Sequence, residues 1–203
     1  MAVLSPSIVI NRCGRSPNKL FCALFAALTF VSGGPGSLAQ PAVSREYQIK
    51  AAFLFNFAQF VEWPPTAFTN ADAPLCIGVL GEDPFGTALE QTVLGETVHS
   101  RKLIVQHSRR VEDLTACQLI FISKSEKGRL AEILPKLDGR EALTVSEIDG
   151  FARHGGIINF YLDGNKVRFE INPAIAQREG LKMSSQLLSL GKIVQPEPVK
   201  EDK

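Results

Sequence analysis

The sequence is poor in histidine and carries almost no net charge. It has three histidines and nearly equal numbers of basic and acidic residues, 22 and 21, which give a formal net charge of +1. Such a chain lacks the basic surface that attracts nucleic acid and anionic membranes, so we expect neither as a partner. His99, His107 and His154 are not spaced as metal ligands, nor do they accompany a cysteine or carboxylate cluster. They therefore predict no metal site.

Catalytic and cofactor motifs are also missing. The segment GEDPFGT has the glycine spacing of part of a phosphate loop, but no lysine follows its second glycine, and Glu82 and Asp83 would repel a phosphate. Ser189 and Lys192 have the S-x-x-K spacing without its companion motifs, and neither G-x-G-x-x-G nor G-x-S-x-G occurs. We therefore expect a protein that is not an enzyme and binds no cofactor.

The only long apolar run lies near the start of the chain, at residues 20–31. It is shorter than the roughly 20 apolar residues that a membrane span needs, so we expect no direct insertion into the membrane. Arg12, Arg15 and Lys19 precede it, and a Gly/Ser-rich segment follows it, with small residues at the −3 and −1 positions, Ser37 and Ala39. This order predicts a secretory signal peptide that is cleaved after Ala39.

Residues 45–65, REYQIKAAFLFNFAQFVEWPP, predict an amphipathic helix that ends at Pro64. At about 100° per residue, one wide apolar face gathers Phe53, Leu54, Phe57, Phe60 and Val61. Lys50 falls in the middle of that face, one turn after Glu46. We interpret Lys50 as a lysine that snorkels at the rim of a core helix. The alternative is a buried ion pair between Lys50 and Glu46.

Strands and helices alternate after this helix, which predicts an α/β fold with a mainly parallel sheet flanked by helices. Asp83 is expected to cap the first of these helices, and Ser123 the second, with Glu126 at the capping-box position. The predicted strands are residues 75–81, 101–108, 118–123 and 142–147, and the predicted helices run from Asp83 to about 94 and through 137.

The final part of the domain predicts an antiparallel hairpin added to the sheet. Its arms are residues 157–162 and 166–172, joined by the three-residue loop 163–165. Pro173 is expected to begin a short helix, and Ser184 or Ser185 to cap a last helix, QLLSLGKIV. We expect one domain over residues 40–194, followed by a disordered tail, 195–203.

Cysteines are few, and two of the four precede the predicted cleavage site. The other two, Cys76 and Cys117, each begin a predicted parallel strand, so they belong to the same end of the sheet. Disulfides persist in exported proteins. We therefore predict a disulfide between Cys76 and Cys117.

Several segments, in order, resemble one family: YQIKAAFLFNFAQFVEWP, IGVLGEDPFG, CQLIFIS followed by SE, the GG-x-I-NF pair, and KVRFEIN. Over about residues 45–193 the chain is similar to the YfiR-like periplasmic proteins. The resemblance implies a compact, often dimeric α/β regulator that binds the periplasmic part of a membrane-bound diguanylate cyclase and holds it inactive. It also implies that an outer-membrane lipoprotein relieves the repression, which links the envelope to cyclic-di-GMP and biofilm formation.

Carried over by motif, the resemblance also implies a partner-binding surface at the end of the last predicted strand and just after it. Its residues here are Glu170, Asn172, Arg178, Lys182 and Leu188. The alternative for Glu170 is a solvated strand residue that pairs with Arg168 within the hairpin.

Together these observations favour an exported, non-enzymatic regulator that represses a membrane-bound signalling protein, first of all a diguanylate cyclase, or else another sensor such as a kinase or chemoreceptor. The alternative is a periplasmic protein that binds a small ligand in a crevice at the carboxyl ends of the parallel strands. At that edge Glu82 and Asp83 disfavour an anionic ligand.

Overall fold

The computed structural model describes residues 44–195. The predicted signal peptide (1–39) lies outside the described residues, as does the predicted tail from residue 196 onward. The helices and strands within the described part are α1 (Arg45–Phe60), β1 (Val61–Glu62), β2 (Leu75–Leu80), α2 (Ala88–Val93), β3 (Thr97–Val98), β4 (Arg101–Ser108), β5 (Leu119–Ile122), α3 (Leu130–Leu137), β6 (Leu143–Ser146), β7 (Ile158–Asp163), β8 (Lys166–Ile171), α4 (Pro173–Arg178), β9 (Lys182–Met183), α5 (Ser185–Leu190) and β10 (Lys192–Ile193).

Eight of these strands form one sheet in the order β10-β8-β7-β6-β5-β2-β4-β3. The five strands from β7 to β4 run parallel, whereas β8 and β3 pair antiparallel with their inner neighbours. A separate antiparallel pair joins β1 to β9. The predicted fold class, a mainly parallel sheet with a C-terminal hairpin added to it, is confirmed.

The centre of the sheet is buried on both faces because helices cover each side. All six residues of β2 are buried, and they alternate between two cores. Leu75, Ile77 and Val79 join the core under α1, α2, α4 and α5, whereas Cys76 and Leu80 join the core under α3. A continuous apolar strand such as LCIGVL is typical of a parallel sheet covered in this way.

Helix α1 packs its aromatic face on the hairpin formed by β7 and β8. The ring of Phe57 lies 5.6 Å from that of Phe160 and 5.1 Å from that of Phe169, and the ring of Phe53 lies 5.4 Å from Phe169. Burial of one phenylalanine side chain contributes about 1.5–3 kcal/mol. These aromatic contacts therefore hold α1 against the β7–β8 hairpin, about a hundred residues later in the sequence.

Several element boundaries differ from the sequence predictions. Asp83 does not cap α2: its Oδ1 accepts a bond from the Phe85 backbone N–H at 2.8 Å, which makes a turn, and the helix begins only at Ala88. The hairpin loop has two residues, because Asp163 pairs with Lys166. The segment predicted as one last helix breaks at Gly191, where a Cβ would lie 2.6 Å from Ile171, and it continues as β10.

The predicted serine caps are confirmed, whereas Glu126 does not complete a capping box, because the Ser123 backbone N–H donates to the Leu80 carbonyl and the Glu126 carboxylate accepts from Arg129. Ser123 begins a 3-10 helix over Lys124–Arg129, and its side chain accepts a bond from the Ser125 backbone N–H; α3 follows directly. Ser184, the first of the two candidate caps, accepts from the Leu187 backbone N–H at the start of α5. These caps lie where the serine side chain satisfies a backbone donor that the helix leaves unpaired.

Candidate functional site

Glu170 lies on β8 beside the edge strand β10, between two cations. Its Oε1 accepts from Arg153 Nη2 at 3.0 Å and from Lys192 Nζ at 3.1 Å, and its side chain is only 12% exposed. Burial alone would raise the pKa of this carboxyl, but the hydrogen bonds and charges of Arg153 and Lys192 outweigh it and lower the pKa. Glu170 is therefore ionised and held in place at neutral pH.

Arg168 is not the partner of Glu170. Its guanidinium faces Asp163 at 3.6 Å at the tip of the hairpin, so the interpretation of Glu170 as a solvated residue paired with Arg168 is wrong. The actual partners come from the segment before β7 and from β10. Arg153 lies in a series of turns after Gly150, and Lys192 belongs to a segment that the sequence predicts as a helix. Nothing in the sequence near Glu170 therefore indicates either ion pair.

Asn172 is completely buried, which removes its side chain from the surface implied by the family resemblance. It caps α4: Oδ1 accepts from the Ile175 backbone N–H at 3.3 Å, and Nδ2 donates to the Ala152 carbonyl at 2.7 Å. Pro173 at the first helical position fits this cap, since proline lacks the donor that the first turn leaves unpaired. The role of Asn172 in this structure is structural.

The remaining three residues of the implied surface lie on elements that follow β8. Arg178 ends α4 and donates from Nη2 to Asp138 Oδ1 at 2.7 Å, with both side chains mostly exposed. Lys182 is exposed on β9, opposite Glu62. Leu188 is half-buried on α5, against the core under α1.

Glu170 and Leu188 lie on elements at one edge of the sheet, because α5 leads directly into the edge strand β10, which pairs with β8 at Glu170. Two exposed apolar side chains, Leu190 and Ile193, belong to the same edge. Arg178 is oriented instead toward Asp138 at the end of α3. We call the edge formed by α5 and β10, with Glu170, the α5–β10 edge.

Lys50 is buried, so the interpretation that it snorkels is wrong. Only 2% of the residue is exposed, and Nζ donates to Glu46 and to Glu147. Its ammonium also lies 4.7 Å from the centre of the Tyr47 ring and 5.9 Å from that of Phe160. The ion pair with Glu46 was the alternative taken from the sequence. Glu147, which follows β6, was missed.

Tyr47 completes this cluster, because its hydroxyl donates to Glu147 at 3.0 Å. Burial first, and then the negative charge of Glu147, raise the pKa of the Tyr47 phenol well above its ordinary value. Four groups, Glu46, Tyr47, Lys50 and Glu147, thus tie the start of α1 to the carboxyl end of β6. We call them the α1 ion cluster.

Replacing Tyr47 with phenylalanine is expected to lower the free energy of unfolding at pH 7 by about 1.5–3 kcal/mol, because a hydrogen bond to a charged group is lost. The unfolded tyrosine ionises near pH 10, whereas the folded one resists, so the parent protein should lose stability as the pH rises above about 10. In Tyr47→Phe, the free energy of unfolding should fall less steeply above about pH 10 than it does in the parent protein. Urea midpoints from pH 7 to pH 11 measure both effects. The control is Tyr161→Phe, at an exposed position, and an equal decline in parent and Tyr47→Phe would contradict the prediction.

A disulfide joins Cys76 and Cys117, with the two Cα atoms 4.4 Å apart. It lies where predicted, at the amino ends of β2 and β5. Gln118 supports it: its Oε1 accepts from the Cys76 backbone N–H at 2.9 Å, and its own backbone N–H donates to the Cys76 carbonyl. A Cβ at Gly78 would lie 3.3 Å from Sγ of Cys117, so the bridge packs directly on the backbone of β2.

Three clefts lie at the amino ends of the parallel strands, opposite the edge at which a ligand crevice was expected. One of about 470 Å³ borders Cys76 and Gln118, and one of about 300 Å³ lies between Trp63, Phe68 and Arg101. A third, of about 310 Å³, lies between α3 and α4. Within residues 44–195, no group of histidine, cysteine and carboxylate side chains is arranged to hold a metal.

A family model described as YfiR/HmsC-like matches residues 47–192. The chain belongs to this family. The YfiR/HmsC-like family is known as one of periplasmic regulators rather than enzymes. In the described part of the chain, no helix is long and apolar enough to cross a membrane.

Solved structures resemble this YfiR/HmsC-like chain only weakly. The ABC domain in complex with L-Trp from Streptococcus pneumonia is 11% identical with a TM-score of 0.45, over 59% of this chain and 56% of that one. A ligand-free, open substrate-binding protein with adhesive properties from Clostridium difficile is 8% identical with a TM-score of 0.44, over 61% and 55%. The chain thus spans little more than half of each, and such similarity carries no functional conclusion. Among curated proteins, no sequence matches.

Proposed function

We propose that this protein is a periplasmic repressor that binds the periplasmic part of a membrane-bound diguanylate cyclase, holds it inactive, and so lowers cyclic-di-GMP and biofilm formation. The observation that carries the proposal is the match to the YfiR/HmsC-like family over residues 47–192. An outer-membrane lipoprotein that sequesters the repressor is the natural counterpart.

The proposed contact region comprises the α5–β10 edge together with Arg178 and Lys182. Exposed apolar side chains at Leu190 and Ile193, beside a fixed ion pair network at Glu170, combine the apolar contacts and charges that protein interfaces use. The exposed cations Arg178 and Lys182 suit an acidic patch on the partner, since complementary charges set orientation and specificity.

Glu170 is a poor site for testing this surface by charge reversal. A lysine there would meet Arg153 and Lys192, which now bind the carboxylate, so the variant would disturb the edge as well as any interface. Arg178 is cleaner, because its pair with Asp138 is exposed and such pairs contribute about 0–1 kcal/mol.

Arg178→Glu is expected to leave the thermal unfolding temperature nearly unchanged and to weaken repression, because like charges across an interface cost several kcal/mol. Cyclic-di-GMP is measured in a deletion strain that carries the parent gene, the variant or no gene. The matched control is Arg110→Glu, at a similarly exposed arginine beside surface carboxylates near the carboxyl end of β4. It should repress like the parent.

Two results would count against these claims separately. If the deletion strain shows unchanged cyclic-di-GMP, the diguanylate cyclase is not the target. If deletion raises cyclic-di-GMP but Arg178→Glu restores full repression, the contact surface lies elsewhere on the molecule.

A further inference from the structure

The cleft between α3 and α4 contains a buried carboxylate with no cationic partner among the described residues. Glu179 directly follows α4 and is 5% exposed. Its Oε1 accepts from the Gly139 backbone N–H at 3.1 Å and its Oε2 from that of Glu141 at 3.3 Å. Within residues 44–195, no lysine or arginine nitrogen lies within ion-pair distance of it. A carboxylate has about four acceptor positions, and the described residues fill two of them, which leaves about two for a ligand.

The backbone that Glu179 holds is strained. Glu141 has φ +56°, a left-handed conformation that is strained for a residue with a side chain, whereas Gly139 has φ +68°, which glycine adopts without strain. Strain of this kind is maintained only where surrounding contacts impose it, and it concentrates at ligand sites. At Glu141 these contacts are the hydrogen bond from its backbone N–H to Glu179 and the one that its own carboxylate accepts from Thr66.

The walls of the cleft are apolar and its volume is small. Leu134, Ile157 and Ile175 line it, and the cleft encloses about 310 Å³, at the lower end of the range for small-molecule sites. The Thr144 hydroxyl, which accepts from the Ile157 backbone N–H at 3.1 Å, adds a polar group beside these walls. At the rim, Arg178 is already bound to Asp138.

We propose that the α3–α4 cleft binds a small primary amine with a short apolar body. The ammonium donates to the Glu179 carboxylate, and the apolar part lies against Leu134, Ile157 and Ile175. An uncompensated buried charge is unfavourable, so a cationic ligand gains more from this cleft than a neutral one of the same shape. An anionic ligand would be repelled by Glu179, whereas Asp138 and Arg178 at the rim neutralise each other.

The test compares 3-methylbutylamine with 3-methylbutanol by calorimetric titration of the purified protein. The expected result is saturable binding of the amine, at least about tenfold tighter than the alcohol, which corresponds to about 1.4 kcal/mol. In amide NMR spectra the amine should shift the signals of Gly139, Glu141 and Ile157. Equal affinity for the two compounds, or no saturable binding of the amine, would overturn the proposal.

Two variants locate the site. Glu179→Gln removes the charge and should weaken the amine about tenfold while leaving the alcohol unchanged; Glu132→Gln, an exposed carboxylate on α3, is its control. Leu134→Trp should fill the cleft and abolish binding with the carboxylate still present, which decides the matter even if Glu179→Gln fails to fold. Amine binding that persists at parent affinity in Leu134→Trp would place the site elsewhere and reject the assignment.

Discussion

Replacing Lys50 with methionine is expected to lower the free energy of unfolding by about 3–5 kcal/mol, the usual effect of breaking a buried ion pair by removing one partner. Most of this destabilisation should come from Glu147, whose side chain is only 9% exposed and would remain as a buried charge without its cationic partner. Glu46 is 33% exposed and keeps access to water. Methionine fills nearly the same volume, so the change reports on charge rather than on packing. Urea midpoints of parent and variant at pH 7 measure it.

Two further variants separate this effect from the general loss of a lysine. Lys136→Met removes an exposed lysine paired with Glu112, and should change stability by no more than about 1 kcal/mol. Adding Glu147→Gln to Lys50→Met should recover part of the loss, because the uncompensated charge is then gone. An unchanged midpoint for Lys50→Met would mean that the α1 ion cluster does not stabilise the fold.

Removing the disulfide is expected to cost about 4 kcal/mol, because the bridge closes a loop across a sequence separation of 41 residues and so restricts the unfolded chain. Chemical reduction of the parent, and the double variant Cys76→Ala/Cys117→Ala, should both move the urea midpoint down to a similar value. Replacement by alanine leaves no thiol that could re-form a bridge.

Thiol titration provides the control for this experiment. Protein recovered from the periplasm, unfolded without reductant, should show neither Cys76 nor Cys117 as a free thiol. Two free thiols under these conditions would contradict the disulfide. A midpoint that reduction leaves unchanged would instead show that the bridge contributes little to stability.

The parts of the fold that were predictable are those with a local signal. Strand β2 is a short apolar run between turns, and the second arm of the hairpin alternates apolar and polar residues after a Gly-containing loop, so pattern alone identified them. The two-residue strands β1, β3, β9 and β10 have no such pattern. They exist only because a partner strand lies beside them.

The candidate site was harder to predict because its contacts join distant segments. Lys50 is four residues from Glu46, a spacing that is visible on a helix, but 97 residues from Glu147. Asn172 belongs to the polar side of the hairpin by alternation, yet the chain turns into α4 at that residue and buries it as a cap. Alternation describes a strand only while the strand continues.

The packing of α1 on the hairpin also has a consequence for how the chain folds. Phe53 and Phe57 of α1 are synthesised early in the domain. Their partners Phe160 and Phe169 lie more than a hundred residues later in the sequence. Contacts of such sequence separation form slowly, because a long loop must close before they are gained. Until the β7–β8 hairpin has formed, the aromatic face of α1 therefore remains exposed to solvent, and exposed apolar surfaces of this kind aggregate readily. Binding by a chaperone is most needed at the very start of this domain, before its sheet exists.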